Sequence, residues 1–179
     1  MDHPNIARVL DGGATDAGRP YFAMELVEGV PITEYCARNL LPIQSRLQLF
    51  LGVCQAVQHA HQKGIIHRDL KPANVMVGAF GEVQVMDWGL AREVRGADET
   101  TSQTLADDAG LTVAGQVKGT PAYMAPEQAR GEEVDARADV FALGGILAAI
   151  LTGQPPFSGD SVMQTIARAA KCDLNDTLG

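Results

Sequence analysis

Three short strings in a fixed order constrain this chain more than anything else in it. His67-Arg68-Asp69-Leu70-Lys71-Pro72-Ala73-Asn74 comes first, Asp87-Trp88-Gly89 second, and Gly119-Thr120-Pro121-Ala122-Tyr123-Met124-Ala125-Pro126-Glu127 third. Between the first two lie the apolar runs Asn74 to Val77 and Val83 to Met86, parted by Gly78 and Gly81, which is the pattern of two strands joined by a turn. A hairpin returns the chain to its starting point. Asn74 and Asp87 are thereby predicted to face one place despite the thirteen positions (87 minus 74) between them.

The chemistry of these residues is coherent. Asp69 is a carboxylate on a tight loop, able to accept a hydrogen bond from a hydroxyl and take its proton, and Lys71 is close enough in sequence to reach the same reacting group. Asn74 offers a neutral oxygen and Asp87 a charged one, the oxygen donors that magnesium prefers when phosphates and waters complete its shell. Any one of these, beside a glycine or proline, is most simply a turn residue. Eight residues in register, Arg68, Asp69, Lys71, Asn74, Asp87, Gly89, Pro126 and Glu127, are not explained that way.

Around the strings the chain alternates in period. Ile6 to Leu10 and Tyr21 to Val27 read as two strands, with Asp11-Gly12-Gly13 as a turn signal between them. Pro31 to Leu40 reads as a short helix. From Pro42 to Lys63, Leu47, Phe50, Leu51, Cys54, Val57 and His61 recur at helical spacing, with Pro42 suited to the first turn and Gly64 to the stop. His59 and His61 are read as ordinary helix residues, because positions two apart diverge and nothing completes a metal site. Arg92 to Lys118 reads as a long loop, of the kind that carries function or disorder. Asp139 to Leu151 is apolar nearly all round and is expected to be buried; Gly153 ends it, and Ser161 to Ala170 reads as a last helix.

Composition narrows the class. A chain of 179 residues, 46% hydrophobic and 20% charged, can bury one core, so a single globular domain is expected. The formal charge of −8 speaks against a nucleic-acid-binding face, which needs lysine and arginine to displace counterions. Cys36, Cys54 and Cys172 lack metal-ligand spacing and read as free thiols in a reducing, cytoplasmic setting. No secretory leader is visible, and the longest apolar stretch, Val140 to Leu151, is too short to cross a bilayer.

The three strings together resemble the signature set of eukaryotic-type serine/threonine protein kinases, a family also abundant in bacteria. The resemblance implies an α+β fold in which residues 1–27 correspond to part of the small-lobe sheet and the hinge, and residues 28–179 to a mostly helical large lobe. It implies ATP and Mg2+ as cofactors and a protein Ser/Thr hydroxyl as substrate. Asp69 and Lys71 would then be catalytic, Thr120 would contact both, and Asn74 and Asp87 would hold the metal. Met24 matches the gatekeeper, Glu25 and Val27 the hinge whose backbone binds adenine, and Met76 the floor of the adenine pocket; Met24 read alone is equally a core residue. Arg68 resembles the arginine that pairs with a phosphorylated activation loop, for which Thr112 is the favoured acceptor. Glu127 matches a glutamate that pairs with an arginine in a later helix, and Asp139 a buried aspartate that braces the catalytic loop.

Two departures stand out. No glycine-rich loop, strand lysine or helix glutamate precedes His3, and the chain stops at Gly179 before the last large-lobe helices of the pattern. A domain truncated at both ends, inactive by itself, is therefore expected. The alternative is a short pseudokinase-like module acting by contact, which would have no chemical need of Asp69, Asn74 and Asp87.

Overall fold

The computed structural model describes residues 1–15, 19–88, 92–93 and 120–174. Two helices form its centre. α1 (Ile32–Arg38) leads into α2 (Ile43–Gln62), whose first turn follows Pro42 at φ −65° and whose end passes through Lys63 to Gly64 at φ 70°. Val53, Ala56, Val57 and Ala60 make the buried face of α2, at the spacing that places them on one stripe.

Against α2 packs α4 (Ala136–Thr152), capped at its start by the Asp135 side chain, which accepts a hydrogen bond from the Arg137 N–H. The buried stripe of α4 is made of small residues, Ala138, Ala142, Gly145 and Ala149, with Ile146 and Ile150 beside them. The helix is not buried all round, contrary to the sequence expectation: Val140 is 60% exposed and Leu151 40%. Ala142, Ile146 and Ile150 join the core shared with α2, a Cβ on Gly145 would meet Pro156 and Tyr123, and the positions of Val140 and Leu151 stay open. Gly153 ends α4 in the left-handed conformation, φ 79°, and its N–H returns to the Ala149 carbonyl.

A three-stranded antiparallel sheet covers the core beside α2, in the order β3 (Val30–Pro31), β5 (Val75–Val77), β6 (Val83–Val85). Val75 pairs with Val85 and Val77 with Val83, and all four are buried, while Met76 and Gln84 share the other face half-buried. Burying each valine contributes about 1.5–3 kcal/mol. Gly29 lets the chain cross β5 into β3, since a Cβ there would stand 2.5 Å from the Val77 carbonyl oxygen. The predicted hairpin around Gly78 and Gly81 is therefore present, and it adds Ile6 through a parallel bridge to Val85.

The first hairpin differs from expectation. Its strands are β1 (Val9–Ala14) and β2 (Pro20–Met24), so Asp11, Gly12 and Gly13 lie inside a strand, paired with Ala23, Phe22 and Tyr21. Ile6 to Arg8 precede the ladder, and the second strand stops at Met24 instead of running to Val27. Turn chemistry at Asp-Gly-Gly was overridden by main-chain pairing, which asks nothing of side chains. β4 (Ile65–Ile66) pairs with β7 (Arg92–Glu93), the two described residues of the region read as a long loop. α3 (Pro126–Ala129) and α5 (Val162–Lys171), the latter capped by the Ser161 side chain accepting from the Gln164 N–H, complete the described elements. No helix among the described residues is long and apolar enough to cross a membrane.

Candidate active site

The loop that follows β4 is tied down by one buried carboxylate. Asp139, 1% exposed on the first turn of α4, accepts from the backbone N–H groups of His67 and Arg68, each at 2.8 Å, and lies 2.8 Å from His61 Nε2 on α2. Asp139 thus ties the first turn of α4 to the backbone of the loop. His61, which spacing read as an ordinary helix residue, completes the brace. Nothing in local sequence signals that contact, because its partner lies 78 positions away.

His67 links the loop to the strand end. Its Nδ1 accepts from the Asp69 N–H at 3.3 Å and its Nε2 meets the Met86 carbonyl at 3.1 Å, which together require a neutral ring protonated at Nε2. Burial holds its pKa below the usual histidine value, and the ring packs on Trp88 at 4.6 Å. Trp88 in turn donates from Nε1 to the Val85 carbonyl. Arg68 and Asp87, the residues on either side of this bridge, both hold positive φ, 71° and 65°. For non-glycine residues that conformation costs about 1–2 kcal/mol, so each is held there by its surroundings.

Asp69, Lys71 and Asn74 are joined by hydrogen bonds. Lys71 Nζ donates to Asp69 Oδ2 at 2.7 Å, with the two side chains 20% and 13% exposed. Asn74, at the end of a 3-10 turn over Pro72–Asn74, donates from Nδ2 to the Asp69 carbonyl at 2.9 Å, and its own carbonyl accepts from the Met86 N–H at 2.9 Å. Asn74 Oδ1 accepts no hydrogen bond among the described residues, and Asp87 is exposed just beyond Met86. The Nδ2 and carbonyl bonds of Asn74 bring the Asp69 and Met86 backbones to it, with Asp87 next in the chain after Met86. No group of three His, Cys, Asp or Glu that could hold a metal occurs among the described residues, so a cation here would rely on Asn74, Asp87 and a ligand's own oxygens.

A narrow cleft beside Asp69 is lined by Arg68, Thr120, Tyr123, Met124 and Gln128. Thr120 borders this cleft but makes no hydrogen bond to Asp69 or Lys71. Burial raises the Tyr123 pKa. Glu127 is half-buried and forms no ion pair among the described residues. Gln128, which the strings did not single out, donates to the Arg68 carbonyl at 2.8 Å. Thr112 and Gly89 lie outside the described residues.

The remaining predicted positions lie on β2, the segment after it and β5, the middle strand of the three-stranded sheet. Met24 closes β2 opposite Val9 and is 37% exposed. The Glu25 carboxylate accepts from the Arg8 N–H at 2.9 Å and from Gln84 Nε2 at 3.3 Å; Gln84 is the register partner of Met76. Glu25, Val27 and Met76 are each half-buried, and the Glu25 carbonyl and Val27 N–H have no partner among the described residues.

A mixed fold of small antiparallel sheets and helices, with this loop at its centre, is that of the protein kinase domain. The family model for that domain matches residues 1–177, and the chain belongs to the family. It is 44% identical over 165 residues to the serine/threonine-protein kinase PknB of Mycobacterium leprae, covering 90% of this chain and 25% of the relative. The same protein of Mycobacterium tuberculosis is 43% identical with the same coverage, and a probable PknB of Bifidobacterium longum is 40% identical over 91% of this chain and 24% of its own length. The chain thus spans about a quarter of the length of these relatives.

Proposed function

We propose that this chain carries the catalytic loop and metal ligands of a serine/threonine protein kinase, which moves the terminal phosphate of ATP to a protein hydroxyl. The observation that carries the reading is the Asp69–Lys71 pair at 2.7 Å, locked to Asn74 through the Asp69 carbonyl. Asp69 Oδ1, the oxygen not held by Lys71, accepts the substrate hydroxyl's hydrogen and takes its proton late. The hydroxyl oxygen bonds to the terminal phosphorus as the bond to the bridging oxygen breaks and ADP leaves. Lys71 and Thr120 face the phosphate being transferred. Asn74 Oδ1 and the Asp87 carboxylate are the oxygens assigned to Mg2+, which when bound supplies positive charge against the nucleotide phosphates.

The adenine ring is assigned to the Glu25 carbonyl and the Val27 N–H, with Met24 and Met76 against its face. Arg68 is assigned to a phosphorylated Thr112. Residues 1–27 serve as small-lobe strands and hinge and 28–179 as large lobe, in a cytoplasmic domain. Residues 1–179 include no glycine-rich loop or phosphate-binding lysine, so by themselves they are expected to transfer phosphate poorly.

The test is transfer of labelled terminal phosphate from ATP to a serine/threonine peptide library. Asp69→Asn should lower kcat by about 10²–10⁴ while Mg2+-dependent ATP binding persists. Equal transfer by the variant overturns the assignment of Asp69, and peptide capture without transfer at any protein length favours a contact module instead.

A further inference from the structure

Gln128 follows Glu127 on α3, and its side-chain amide is fixed at both ends. Oε1 accepts from the Ala125 backbone N–H at 3.2 Å, and Nε2 donates to the Arg68 carbonyl at 2.8 Å. Ala125 offers only a donor there and Arg68 only an acceptor, so the amide has one possible orientation. A carboxylate in its place would set an oxygen against the Arg68 carbonyl. A thioether would leave both backbone groups unmet.

The carbonyl that Gln128 holds belongs to the peptide unit joining Arg68 to Asp69. That unit is planar, so fixing its oxygen also fixes the direction of the Asp69 N–H, which meets His67 Nδ1 at 3.3 Å. Arg68 sits at φ 71°, a conformation that must be held from outside. It is held twice: from α4, by Asp139 Oδ1 on its N–H, and from α3, by Gln128 on its carbonyl. α3 itself is anchored, since Arg130 at its end donates from a terminal guanidinium nitrogen to the Ala170 carbonyl on α5 at 2.9 Å.

We propose that Gln128 is a positioning residue for Asp69, so that the seating of α3 on the helical lobe sets the orientation of the Asp69 carboxylate. This rests on the reading of Asp69 as the group that takes the hydroxyl proton. It makes the geometry of the catalytic loop depend on the segment ending at Glu127, through a side chain that touches neither Asn74, Asp87 nor the Met24 to Val27 segment.

Two variants, Gln128→Met and Gln128→Glu, test this in the full-length protein. Transfer to the serine/threonine peptide library should lose about tenfold in kcat for Gln128→Met, the equivalent of one hydrogen bond, and more for Gln128→Glu, with the KM for ATP unchanged. Amide hydrogen exchange in the 15N-labelled protein should quicken about tenfold at Arg68 and Asp69, while the amides of α2 and α4 keep their rates. A merely structural Gln128 would instead raise exchange throughout and leave kcat per folded molecule unchanged. Unchanged exchange at Arg68 and Asp69 overturns the proposal, as does unchanged kcat in an active protein. A wild-type protein silent in transfer defeats the reading of Asp69 itself, while exchange still decides whether Gln128 holds the loop.

Discussion

At the scale of single residues, Asp139 is the one buried carboxylate among the described residues. Its carboxylate is nearly sealed from water, and a buried charge is tolerated only when its oxygens are well supplied with donors. Two backbone N–H groups and the His61 ring supply them. Asp139→Asn should therefore destabilise the fold by about 3 kcal/mol, because either orientation of the amide turns its NH2 toward a donor. Urea unfolding measures this, and a variant within about 0.5 kcal/mol of wild type would show that the brace matters little. His67 makes a second, pH-dependent prediction. Its folded pKa is depressed by burial, so below about pH 6.5 the unfolded chain binds a proton that the folded one refuses. Stability should then fall as pH drops from 7 toward 5.5, down to the lower folded pKa. Urea midpoints across that range should show a shallower fall in His67→Phe, and an identical slope in the variant would remove His67 as the cause.

At the scale of elements, two glycines are needed for different reasons, which predicts different penalties. At Gly153 nothing lies within 4 Å of where an alanine methyl would stand, so Gly153→Ala pays only for φ 79°, about 1 kcal/mol. At Gly29 the obstacle is the Val77 backbone at 2.5 Å, which cannot swing aside, so Gly29→Ala should cost about 1–3 kcal/mol and part β3 from β5. Thermal unfolding of the pair should rank Gly29→Ala below Gly153→Ala, and the reverse order would mean that β3 shifts without cost. Elements whose side chains do the specifying were legible in advance in their extent: the span of α2, the Gly153 stop and the valine alternation of β5 and β6. The buried stripe of α2 was not, since Leu47 and Leu51 of the predicted face are 40% and 51% exposed while Val53, Ala56 and Ala60 are buried beside Val57. Nor was the run of β1 beyond Leu10, because Asp11-Gly12-Gly13 carries a turn signal and no apolar alternation, while its pairing with β2 is made by backbone alone. Within the site, the return of Met86 to Asn74, whose carbonyl accepts from the Met86 N–H, followed from a hairpin, a local device. The contacts of His61 with Asp139 and of Gln128 with Arg68 span 78 and 60 positions, and no local pattern encodes them.

For the whole molecule, burial is unevenly shared. One core joins α2 and α4 to the β5–β6 hairpin through Val53, Val57, Val75, Val85, Ile146 and Ile150. The β1–β2 hairpin stands apart from it: every residue of β1 is exposed, including Val9 at 52% and Leu10 at 62%. Its attachment runs through a short segment, where Ile6 bridges to Val85, Asn5 Nδ2 donates to the Val83 carbonyl at 2.8 Å, and Glu25 meets Gln84. A two-stranded hairpin is marginal in water, so its opening should cost far less than global unfolding. Native-state hydrogen exchange should find the β1–β2 amides opening several kcal/mol below those of β5, β6 and α2. Ile6→Ala should widen that gap, since it empties a buried position in the segment that joins the hairpin to the sheet. Equal protection of β1–β2 and β5–β6 would mean that the hairpin and core unfold as one unit, and that the hinge assigned to Glu25 and Val27 is as rigid as the catalytic loop. With a looser hairpin, Mg2+ and an ATP analogue should protect the β1–β2 amides more than those of α2, because a nucleotide held as proposed, between Val27 and Asp87, would tie the weaker part of the molecule to the stronger.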